Sequence, residues 1–320
     1  MPRPSCRARL ARRAGFALFA AALVTTSFAG PATADWPSDP NVNLPVCTAA
    51  NNQLLPVVAP SGGGCAIVAW YDLRGGATAD VYAQRVLASG VVDPAWPNGG
   101  KAVCTVAGSQ FSVRILSDGS DGVILAWQDT RSGTSDVYAQ HLLASGALDP
   151  AWPATGLPVC TAVGNQYPSP SGIVSDGAGG AIVAWSDARG DTSVYAQHVL
   201  ASGAVDPAWP VDGLSTGAVA DYAQSGVLAS DGEGGAIVAW TDHRSSGEMD
   251  VYAQHLLASG VLDPAWPATG LALCVVGGAQ FVGSIVEDGA GGAIVSWQDY
   301  RNGTAADLYA QHVLPGGAPD

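Results

Sequence analysis

The pattern W-x-D-x-R occurs five times, at Trp70, Trp127, Trp185, Trp240 and Trp297, in steps of 57, 58, 55 and 57 residues. Regular recurrence at this length marks a repeat architecture, in which each unit is one supersecondary motif that buries its apolar faces only against its neighbours. Each copy continues into D-[VL]-Y-A-Q or a close variant, at Tyr82, Tyr138, Tyr195, Tyr252 and Tyr309. Four of them go on to A-S-G-x-x-D-P-A-W-P, around Trp96, Trp152, Trp209 and Trp266. A looser G-x-x-V-C segment, a Gln and a D-G-x-G-G-like turn complete the unit.

Within a unit, four short β-type runs are separated by Gly, Asp and Pro, the residues that supply positive or preset φ in turns. In the third copy the spacing predicts strand a over 171–174, strand b over 181–186, strand c over 194–200 and strand d over 214–219. Strand b is apolar on both sides, with Ala181, Val183 and Trp185 facing one way and Ile182 and Ala184 the other. A strand of that kind needs cover on both faces, as in a sheet packed between two others. The expected fold is therefore all-β, a five-bladed β-propeller of four-stranded antiparallel blades.

The phase of the repeat adds a second expectation. Asp35, Trp36 and Pro37 match the start of strand d, while the segment through Tyr309, Gln311 and Leu314 matches strand c. The N-terminal strand is thus expected to pair with the last strand c, closing the ring and removing an exposed sheet edge.

Residues 1–34 read as a signal peptide: Arg3, Arg7, Arg9, Arg12 and Arg13 precede an apolar stretch from Ala14 to Phe28 and the small residues Ala32, Thr33 and Ala34. Residues 35–320 then form a single secreted domain, extracellular or periplasmic, without a membrane span. It keeps 8 basic against 27 acidic residues, a net charge of −19. Such a surface repels phosphate backbones and anionic lipid, which argues against nucleic-acid and membrane partners. Cys47, Cys65, Cys104, Cys160 and Cys274 are an odd set for an oxidising compartment. Four of them recur at one repeat position, too far apart in adjacent blades for a disulfide.

At W-x-D-x-R, D-x-Y-A-Q, A-S-G-x-x-D-P-A-W-P and P-V-C-T-A-x-G-x-Q the chain resembles secreted bacterial β-propeller repeat proteins. Its A-S-G-x-x-D-P-A-W-P-x-x-G part is similar to the delta-sixty propeller repeats, in which a residue such as Phe stands in place of the Trp. The resemblance covers all of residues 35–320 and implies a propeller; it carries no activity to transfer.

The repeated Asp72, Asp129, Asp187, Asp242 and Asp299, with Arg74, Arg131, Arg189, Arg244 and Arg301, would gather on one face. Repetition in every copy favours a structural role for them, since catalysis needs different groups in different roles. His141, His198, His255 and His312 occupy one position in successive copies, too far apart to share a metal, and no cofactor is expected. Asymmetry points elsewhere. The fourth copy carries Asp221 and Tyr222 in its entering loop and His243 and Glu248 in the loop between strands b and c, an acid, a phenol and an imidazole suited to a glycan. Arg114 stands on an inner strand where the other copies are uncharged. These features lead to the expectation of a non-enzymatic binding or cell-surface interaction module, its partner a glycan or a cell-envelope protein. The alternative is an extracellular glycoside-processing enzyme of the five-bladed propeller type, which needs carboxylates placed unequally around the channel mouth.

Overall fold

The computed structural model describes residues 36–190, 192–217, 223–244 and 247–320; the expected signal segment 1–34 lies outside them. The described residues form strands and turns without a helix, and no helix is long and apolar enough to cross a membrane. Sheet I contains β1 (Gln53–Pro60), β2 (Ala66–Asp72), β3 (Asp80–Val86) and β4 (Lys101–Cys104). Sheet II contains β5 (Gln110–Ser117), β6 (Val123–Asp129), β7 (Asp136–Leu142) and β8 (Leu157–Cys160). Sheet III contains β9 (Gln166–Ser175), β10 (Ala181–Asp187), β11 (Ser193–Leu200), β12 (Ala204–Val205) and β13 (Leu214–Ser215). Sheet IV contains β14 (Ala223–Ser230), β15 (Ala236–Asp242), β16 (Asp250–Leu256) and β17 (Leu271–Cys274). Sheet V has β18 (Gln280–Glu287), β19 (Ala293–Asp299) and β20 (Asp307–Val313).

Each sheet is an antiparallel meander, and the same register recurs: Trp127 lies opposite Tyr138, Trp185 opposite Tyr195 and Trp240 opposite Tyr252. Sheets III and IV also touch through their inner strands, where Ser171 pairs in parallel with Val227. The fourth strand of sheet III spans Leu214–Ser215, and residues 218–219 of the expected 214–219 lie outside the described residues. Both the amide and the hydroxyl of Thr216 bond the carbonyl of Val194.

The sheets stack face to face in chain order, which explains the doubly apolar strand b. Ile67, Ala69, Val81 and Ala83 of sheet I pack on Val123, Leu125 and Leu142 of sheet II. Ile124, Ala126, Val137 and Ala139 on the far side of sheet II pack on Ala181, Val183 and Val199 of sheet III. Trp127, Trp185 and Trp240 are fully buried; an indole of this size contributes about 4–6 kcal/mol gross before entropy is subtracted. The glycine before strand d makes this possible. A Cβ on Gly213, at φ 98°, would stand 2.6 Å from the Trp185 ring.

The ends of the stack differ from its middle. Residues 36–52 contain no strand, and sheet V has three strands, so the expected pairing of the N-terminal strand with β20 is absent from this structure. Instead the segment lies on sheet I. The Trp36 indole donates to the Ala88 carbonyl at 3.2 Å, as Trp96 does to Ala144 in the next sheet, and Cys47 Sγ bonds the Gly99 carbonyl. Its contacts to the following sheet are thus in place, while its ladder to the preceding one is not. Ile294 on the outer face of sheet V is 44% exposed, whereas its counterparts Ile124, Ile182 and Ile237 are fully buried.

Candidate functional site

The repeated motif builds one cluster per sheet, and all five are occupied by their own hairpin. In sheet III, Asp187 Oδ2 accepts from the Trp185 indole at 2.7 Å and from the Arg189 guanidinium at 2.6 Å, while Oδ1 accepts the Arg189 amide at 2.9 Å. Arg189 lies over the Tyr195 ring and donates onward to Cys160 Sγ and the Asp212 carbonyl. The pattern repeats at Asp72, Asp129, Asp242 and Asp299, every one buried. Burial alone would raise the Asp187 carboxyl, but the Arg189 and Trp185 bonds outweigh it and hold it below the usual range. Such carboxylates tie strand b to strands c and d and present no free oxygen to a ligand.

A second carboxylate faces the first across the hairpin in four sheets: Asp80 opposite Asp72, Asp136 opposite Asp129, Asp250 opposite Asp242 and Asp307 opposite Asp299. In sheet I the two environments diverge. Burial, and then the charge of Asp72, push Asp80 above the usual carboxyl range, while Asp72, which burial alone would raise, is held below it by Arg74 and Trp70. Asp136 is likewise raised, by burial first and then by Asp129. The unlike surroundings of Asp72 and Asp80 thus push their carboxyls in opposite directions.

The inner strands carry the irregular geometry. Register shifts fall between Leu54 and Val57, between Phe111 and Arg114, and between Gln224 and Val227. Leu55 and Ser112 sit at φ 47° and 55°, a left-handed conformation costly for residues other than glycine. Both line a cleft of about 290 Å³ between sheets I and II, together with Tyr71, Ala79, Ser109 and Phe111. Bulges beside a cleft re-aim side chains, and accessible aromatic faces suit sugar rings. Asp80 follows Ala79 directly in the chain. Nothing in the repeat pattern marks this cleft, because left-handed backbone at Leu and Ser has no Gly or Asn to announce it.

The residues singled out by asymmetry do not assemble into one site among the described residues. Asp221 and Tyr222 lie outside them. His243 is exposed. Glu248 accepts the Gly278 amide at 2.7 Å, tying the loop of sheet IV to the entry of sheet V. Arg114 donates to the carbonyls of Ser169, Val113 and Pro168, bridging the inner strands of sheets II and III, and burial lowers its guanidinium from the usual value. The histidines each bond two carboxylates at 2.8–3.1 Å. That spacing is too short for an ion between nitrogen and oxygen.

No protein-family model matches the chain, and no curated protein does. Solved structures do. An ulvan lyase of a polysaccharide lyase family, bound to a glucuronate and sulfated rhamnose oligosaccharide, is 13% identical with a TM-score of 0.50, over 85% of this chain and 72% of its own. An α-L-arabinanase of Penicillium chrysogenum, complexed with arabinobiose, is 12% identical with a TM-score of 0.47, over 87% of this chain and 82% of its own. At such identity the likeness to the ulvan lyase shows a shared all-β fold. The expectation of a non-enzymatic binding or cell-surface interaction module is corrected by this comparison, in which the similar structure is that of a polysaccharide lyase.

Proposed function

We propose that the protein is an extracellular glycoside-processing enzyme on a five-bladed propeller closed by its N-terminal segment. The observation that carries the enzymatic reading is the Tyr71 and Phe111 cleft at two left-handed inner-strand bulges, with Asp80, whose carboxyl burial raises, one residue along the chain from the lining residue Ala79. Protonation of a glycosidic oxygen calls for a carboxyl with a raised proton affinity, the direction in which burial shifts Asp80. Tyr71 and Phe111 would hold the sugar, and Asp80 would be the proton donor. The likeness to the ulvan lyase supports the choice of carbohydrate as substrate.

Closure is supported by two complementary faces. Ile294 and Leu308 of sheet V are exposed, Leu308 by 83%. A groove of about 370 Å³ lies between Trp36, Val46 and the Ala66, Val68 and Val86 face of sheet I. These are the two halves of the stacking that buries Ile67 and Val81 against Val123 and Leu142 one sheet later.

Turnover of a panel of plant, algal and bacterial polysaccharides, read as new reducing ends or as unsaturated products, tests the function. Asp80→Asn is expected to lower kcat at least about 100-fold, the usual contribution of a general acid, while sugar binding persists. Turnover at the parental rate in that variant removes Asp80 from the chemistry, and no turnover of any polysaccharide by the parent removes the enzyme.

A further inference from the structure

Four histidines at one register position each lie between two carboxylates. Nε2 of His141, His198, His255 and His312 stands 2.8, 2.9, 3.0 and 2.9 Å from Oδ2 of Asp118, Asp176, Asp231 and Asp288, in the turn after the innermost strand. Nδ1 stands 2.8, 2.8, 2.9 and 3.1 Å from Oδ2 of Asp149, Asp206, Asp263 and Asp320, in the loop after the third strand. A neutral imidazole has one N–H and would turn a lone pair toward one of the two carboxylates; an imidazolium donates to both. The aspartates have little use for a proton of their own. Oδ1 of Asp176 accepts the amides of Ala178 and Gly180, Oδ1 of Asp231 those of Glu233 and Gly235, and Oδ1 of Asp206 that of Ala208.

Sheet I provides a natural comparison. Arg85 lies opposite Ile67 as His141 lies opposite Ile124, and it pairs with Asp93 at 3.6 Å. Ser61 stands where the other sheets have the turn aspartate, and its carbonyl accepts from Arg85. A permanent cation therefore fills the position where one of the two carboxylates is missing. The site is also linked to the stacking of sheets. The His141, His198 and His255 rings lie 5.9, 6.0 and 5.9 Å from Trp152, Trp209 and Trp266, whose indoles donate to Ala201, Ala258 and Pro315 of the following sheet.

We propose that His255 and His312 are imidazoliums in the folded protein and form a pH-sensitive clamp, which pins the innermost turn and the loop after strand c to that strand and loosens as the pH rises. The two aspartates named for each ring are its ion-pair partners among the described residues. Burial opposes charge on His255, yet Asp231 and Asp263 outweigh it and raise its affinity for the proton, as Asp288 and Asp320 do for His312. A group whose proton is held more tightly when folded stabilises fully below the ordinary histidine range, and that contribution is lost as pH rises through the folded value. The lowered Asp176, Asp231 and Asp288 act in the opposite sense, losing their contribution as pH falls through their own range. The clamp is tightest at mildly acidic pH.

The test is long-range ¹H–¹⁵N NMR of the histidine rings in the full chain, with free imidazole in the same buffer as the reference. His255 and His312 are expected to keep both N–H groups at a pH where free imidazole has lost its second proton. Neutral tautomers in those two at that pH overturn the proposal. A second measurement follows the denaturation midpoint from about pH 6 to pH 9 in His255→Arg, which copies Arg85; the pH dependence is expected to shrink. An unchanged dependence in that variant also overturns it, and should the variant not fold, the ring nitrogens of the parent still decide.

Discussion

Replacing Asp187 by Ala isolates the energetics of the repeated cluster, because sheet III is covered on both faces. The substitution leaves the Trp185 indole N–H and the Arg189 amide without their acceptors at 2.7 and 2.9 Å, beside a fully buried indole. Each orphaned buried donor costs about 1–3 kcal/mol. The Arg189 side chain is 26% exposed and keeps the Asp212 carbonyl and Cys160 Sγ, so its lost ion pair adds under about 1 kcal/mol after solvent screening. The expected loss is about 2–7 kcal/mol, a large share of the about 5–15 kcal/mol that holds a domain folded. Urea denaturation reads this as a lower midpoint at an unchanged slope. Asp187→Asn, which retains one carbonyl acceptor, should lose less. A variant Asp187→Ala within about 0.5 kcal/mol of the parent would refute the assignment of the cluster as the tie between strands. Asp299→Ala in sheet V removes the same bonds at a carboxylate and indole that are likewise buried against sheet IV, and should cost about as much as Asp187→Ala.

Hydrogen exchange gives an independent view of closure: amides of Asp307–Val313 are expected to match Asp250–Leu256 in protection if the N-terminal segment pairs with β20, and fast exchange there would leave the ring open. Burial pushes the Cys160 thiol up to about 12, and Cys104 and Cys274 are also buried and raised. A thiol reagent at about pH 8 should therefore reach Cys47 and Cys65 in the native protein and the other three only after unfolding; rapid native labelling of Cys160 would contradict its placement.

Much of the architecture was legible because it depends on local periodicity repeated five times. The doubly apolar Ala181–Ser186 segment announced a strand between two sheets, whereas the Trp–Tyr register came with the structure, since the interval between the two residues varies from 10 to 12. The structural role of Asp187 and Arg189 was legible as well, since a residue repeated in every copy answers a need of every copy. Three further features came only with the tertiary structure. Asp176, His198 and Asp206 are 22 and 8 residues apart in the chain, and the turns that bring them together leave no mark that distinguishes a histidine-bonding aspartate from a turn aspartate. The left-handed backbone at Leu55 and Ser112, and with it the cleft, arises from a register shift between strands. A shift of that kind is a compromise between two chains of hydrogen bonds, and neither segment encodes it alone. The location of the N-terminal segment is the third. Its composition fits strand d of any sheet, and what decides between partners is which face it covers: Trp36 reaching Ala88 satisfies the stacking of sheet I, while Ile294 and Leu308 stay in water. Sequence fixes what a repeat can pair with, since side-chain period and turn residues are local; only the competition among equivalent partners in space decides what it does pair with.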